Sequence, residues 1–98
     1  MDKVTALQEK AFNSLTEATH LWFESSGLLT DGAYAQAARS TLKRVMDDLK
    51  ALLTETARMR SLEVGSLEFE VAYEQAMLDY GLAANALKDA RTLMEKAR

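Results

Sequence analysis

From Phe69 to the C-terminus, apolar residues recur at alternating steps of four and three: Phe69, Tyr73, Ala76, Tyr80, Ala83, Leu87, Ala90, Met94 and Ala97. That spacing is the period of one face of an α-helix. From Ala76 onward every second member is alanine, so small and large side chains alternate. Each alanine lets a neighbouring helix backbone approach, while Tyr, Leu and Met fill the space between. The run predicts a helix seam packed closely on another helix.

Placing residues at about 100° per step gives the remaining faces. An N-terminal helix carries one stripe: Val4, Leu7, Ala11, Leu15, Ala18, Leu21 and Trp22, with Phe12 and Phe23 on its flank. A second helix carries Ala35, Ala38, Leu42, Val45, Met46, Leu49, Leu52, Leu53 and Met59. Its other side mixes Arg39, Lys43, Arg44, Asp47, Asp48, Lys50, Glu55 and Arg58, the pattern of a solvated face. The third helix differs. Opposite its seam it has a second apolar set: Leu67, Val71, Leu78, Leu82 and Leu93. A helix apolar on two opposed faces is covered on both. Either it lies between the other two helices, or one face belongs to another chain.

Turn chemistry divides the chain twice. Ser25-Ser26-Gly27 through Thr30-Asp31-Gly32 is a cluster of breakers, in which Thr30 or Asp31 is placed to cap the second helix. At Gly65-Ser66, Gly65 supplies a left-handed helix stop and Ser66 the next cap. Glu68 and Glu70 follow in the first turn, where the helix dipole favours them. These marks predict helices over approximately 2–25, 31–63 and 66–97, within one helical domain spanning 1–98. The fold class expected is all-α: an antiparallel three-helix bundle with a long hairpin of helices 2 and 3, in an oligomeric assembly.

Composition narrows the function classes. With 98 residues and no cysteine, a disulfide framework and thiolate metal sites are absent. Proline is also absent and glycine numbers four, which suits long helices better than turn-rich β architectures. A formal net charge of −3 argues against a general nucleic-acid binder. No apolar run is long enough for stable membrane insertion, and the first ten residues lack a signal-peptide core, so a cytoplasmic location is expected, with leaderless export compatible.

Candidate chemistry is sparse. Glu17 and the single histidine, His20, have the Glu-x-x-His spacing of metal-binding bundles but fall opposite the apolar stripe of helix 1. The pair Asp47-Asp48 is interleaved with basic residues on a polar face. Ser25, Ser26, Thr54 and Thr56 lack a base, and no glycine-rich phosphate loop occurs. Trp22 is followed by Phe23-Glu24, so the Trp-x-Gly turn of small secreted helical hairpins is not met. The reading is a protein that is not an enzyme and has no cofactor and no metal site. It is expected to be a helical interaction module that binds itself or another helical protein through Leu67, Val71, Leu78, Leu82 and Leu93. A small chaperone or adaptor of a bacterial secretion or phage system is one alternative. A ligand- or metal-binding bundle, using His20 or the Leu21-Trp22-Phe23 group, is another.

Overall fold

A computed structural model describes residues 2–27 and 32–98. Within them the chain is all-helical without a strand, as α1 (Lys3–Ser25), α2 (Ala33–Met59) and α3 (Leu67–Ala97). The long axis measures 49 Å and the cross-section 17 × 16 Å.

Each helix end has a local cause. Asp2 is extended and its carboxylate accepts the Thr5 amide at 2.7 Å, opening α1. That backbone hydrogen bond, aided by the Thr5 hydroxyl and the charge of Arg60, holds the Asp2 carboxyl below its ordinary value. At the other end, the Ser26 and Gly27 amides bond three residues back, to Phe23 and Glu24, and tighten the final turn. The cap expected from Thr30 or Asp31 lies outside the described residues. Ser66 caps α3 by accepting the Phe69 amide at 3.1 Å, and Glu68 and Glu70 occupy its first turn. Gly65 has φ 90°, the left-handed stop its position predicts.

Helix α2 is shorter than its periodicity suggests, ending at Met59 rather than near position 63. The amides of Arg60, Ser61 and Leu62 bond to the carbonyls of Ala57, Arg58 and Met59, a tighter winding than α. The Ser61 hydroxyl also donates to the Arg58 carbonyl. This winding turns Leu62 onto the margin of the core.

The buried stripes meet in one cluster. Leu7, Ala11 and Ala18 come from α1, Leu42, Val45 and Leu49 from α2, and Leu87, Ala90 and Met94 from α3. Thr56 is buried within the α2 stripe, its hydroxyl satisfied by the Leu53 carbonyl at 2.9 Å. Packing is closest between α2 and α3, looser between α1 and α2, and sparsest between α1 and α3. Polar bridges span this last seam: Lys3 to Glu70, Ser14 to Tyr80, Glu17 to Arg91 and Glu24 to Arg98. Helix α2 is therefore the one with two close neighbours. The seam of α3 is covered within the chain, and among the described residues nothing covers its opposite face along Leu67, Val71, Leu78 and Leu82.

One polar residue departs from the solvated face assigned to it. Arg39 is half-buried, its guanidinium 4.0 Å from the centre of the Trp22 ring and its Nη1 donating to the Ser25 hydroxyl at 2.6 Å. A planar cation stacked on indole gains from the ring quadrupole while its stem covers apolar surface.

Candidate functional site

The second apolar set of α3 forms the candidate site. Leu67 is 80% exposed, Val71 59%, Leu78 65% and Leu82 70%. At about 1.5 Å rise per residue, Leu67 to Leu82 covers roughly 22 Å, or about four turns. All four lie within a narrow arc because their spacings of four, seven and four keep the helical period. Beyond Leu82 the same arc carries Asn85 and Asp89, both exposed, so the apolar stripe is confined to the first half of α3.

Leu93 does not join this surface. It is half-buried and packs against the core. Angular position alone does not set the difference, because Gln75 stands at the same angle, about 80° around the helix from Leu67, and is exposed. The core covers that angle near the C-terminal end of α3, at Leu93, and leaves it open in the first half of the helix, at Gln75.

Leu67, Val71 and Leu82 line a groove whose other wall is the C-terminal half of α2, including Ala51, Leu52 and Met59. Gln75 lies in the gap of the stripe, its amide donating to Asp79 at 2.9 Å. Patches of several contiguous large apolar side chains are the scale at which surfaces engage partners. The region is also acidic, a property that the helical period of α3 does not carry. Between Arg60 and Lys88 the chain has five carboxylates (Glu63, Glu68, Glu70, Glu74 and Asp79) and no lysine or arginine. The signal lies in the distribution of charge along the chain.

Several of the other candidates are drawn into structural contacts, and the rest are exposed. Glu17 is bound to Arg91 at 2.6 Å across the α1–α3 seam, and that hydrogen bond raises the Arg91 pKa, while His20 is exposed. Among the described residues no three His, Cys, Asp or Glu side chains form a group able to hold a metal ion. Asp47 and Asp48 are exposed. The hydroxyls of Ser25, Ser26, Thr54 and Thr56 donate to carbonyls three or four residues before them. Tyr80 reaches the Ser14 hydroxyl at 3.3 Å, and Tyr73 stacks on Phe69 with the Lys3 ammonium over its ring. Both tyrosines sit half-buried at the core rim. No helix among the described residues is long and apolar enough to cross a membrane. Comparison with protein families, curated proteins and solved structures finds no match to this chain.

Proposed function

We propose that this chain is a non-enzymatic protein–protein interaction module, an antiparallel three-helix bundle that docks on another helical surface through the second face of α3. The observation that carries the reading is the exposure of Leu67, Val71, Leu78 and Leu82 beside a groove on the α2–α3 pair. The order of side-chain contacts supports the bundle topology. Arg60, just past the end of α2, reaches Asp2, Thr5 and Gln8 at the start of α1, while Arg39 near the start of α2 meets Trp22 and Ser25 at the end of α1.

Energetics support docking at the stripe. A leucine moved fully from water gains roughly 1.5–3 kcal/mol, so burying four such residues offsets much of the entropy cost of association. The core provides no competing use for them, because the seam on the opposite side of α3 already fills it.

The test is the double substitution Leu78→Glu/Leu82→Glu, followed by denaturant unfolding and by light scattering over a wide concentration range. The variant is expected to keep native helix content and to lie within about 0.5 kcal/mol of native stability, as surface substitutions do. Any self-association of the native chain at high concentration is expected to be lost. Unfolding of the variant would show that these leucines are needed inside the chain and would overturn the reading.

A further inference from the structure

The apolar stripe of α3 has carboxylates on both flanks, and those on its α2 side line the groove. On α3, Glu74 borders the stripe on one side and Glu68 and Asp79 on the other, all three exposed. Across the groove α2 adds Asp48. Arg58 is the one cation among the described groove-lining residues, and its guanidinium already bonds both Glu55 oxygens, at 2.7 and 3.2 Å. Glu70 is set aside because it faces Lys3 at 3.8 Å. Asp48, Glu68, Glu74 and Asp79 therefore face the groove and stripe without a cation partner among the described residues, whereas Glu55 is paired.

This edge chemistry discriminates between occupants. A second copy docking face to face would bring the same patch onto itself, because a two-fold interface is self-complementary. Acidic edges would then meet acidic edges, an arrangement that costs several kcal/mol when like charges are juxtaposed. An anionic membrane or a nucleic-acid backbone meets the same repulsion. A chain that buries the leucines and satisfies the edges must carry Lys or Arg on both sides of its own apolar stripe. A groove between two helices, bordered by a stripe with helical period and about four turns long, fits a helix laid along it.

We propose that the occupant of this face is an amphipathic helix from a different protein, with an apolar stripe flanked by Lys or Arg. The proposal rests on the docking reading above and names the partner's chemistry. Apolar burial would supply the affinity, and the charged edges would set register and exclude self-pairing.

Two synthetic helical peptides test it. Both carry leucines at the spacing of Leu67, Val71, Leu78 and Leu82, one with lysines at the flanking positions and one with glutamates. Lysine and glutamate have similar helix propensity, so the cost of ordering each peptide cancels in the comparison. Binding to the native chain is measured by calorimetry at low and high salt, alongside light scattering of the chain alone. The lysine peptide is expected to bind at least about tenfold more tightly at low salt, with the gap closing as salt screens the edges. Binding is expected to vanish with Leu78→Glu/Leu82→Glu. Equal binding of the two peptides would overturn the charge assignment and leave the docking reading standing. So would absent peptide binding with a native homodimer that the same double substitution dissolves, which would make a second copy the occupant. Absent binding by either peptide, with a monomeric native chain at every concentration, would overturn both.

Discussion

Single residues show how backbone conformation sets the sign of a substitution. Gly65 and Gly81 both have open space where a Cβ would stand. Packing therefore treats them alike, and only the backbone separates them. Gly65 holds φ 90° at the stop before α3, where an L side chain crowds its own carbonyl. Gly81 lies inside α3 with ordinary helical geometry, where glycine mainly adds freedom to the unfolded chain. Gly65→Ala is expected to destabilise by about 1–2 kcal/mol and Gly81→Ala to stabilise by about 0.5–1 kcal/mol. Urea unfolding of the two variants checks this, and shifts of the same sign would contradict it. The stack of Arg39 on Trp22 makes a related point: a charged residue beside an apolar stripe can seal the end of a core with its planar face.

At the scale of the element, α3 is one helix with two unlike faces about half a turn apart. Leu87 is fully buried among Leu42, Leu49 and Met94 in the shared core, whereas Leu82 stands in the exposed stripe. Truncating the first leaves a cavity, which costs about 2–5 kcal/mol, while truncating the second removes surface that water already touches. Leu87→Ala is thus expected to lower the unfolding midpoint strongly and Leu82→Ala by less than about 0.5 kcal/mol, read from denaturant curves on the isolated chain. Both faces were legible in the sequence, because a period of 3.6 survives any detail of the tertiary arrangement. The end of α2 was not legible: residues 60–62 have helical composition, and the contact of Leu62 with the core decides their tighter winding. The Arg39–Trp22 pair was hidden for another reason, since it depends on how α1 and α2 are aligned. The contribution of Asp48 to the acidic groove required knowing which flank of α2 borders α3. Leu93 shares the angle of the exposed Gln75, and only the tertiary packing near the C-terminal end of α3, which periodicity does not carry, half-buries it against the core.

At the scale of the molecule, the formal charge of −3 is unevenly spread, and the unevenness coincides with the apolar face. The segment between Arg60 and Lys88 is wholly acidic in its charged residues, whereas the remainder of the chain has more bases than acids. A surface of exposed leucines would ordinarily drive copies together. Here each approach of two such faces also brings Glu68, Glu74 and Asp79 of one copy toward those of the other. The screening length falls from about 10 Å at 0.1 M salt to about 3 Å at 1 M. Repulsion between exposed edges should fade over that range, while burial of apolar surface persists. The isolated chain is therefore expected to self-associate more as salt rises, the opposite of a dimer held by ion pairs. A general salting-out effect would also increase association, and a neutralised variant separates the two. Glu68→Gln/Glu74→Gln/Asp79→Asn is expected to associate more tightly than the native chain at low salt and to respond less to added salt. Sedimentation equilibrium on both proteins across the salt series measures this. Parallel responses in the two would mean that the acidic edges do not restrain the leucine face, and the case for a basic partner would fall with them.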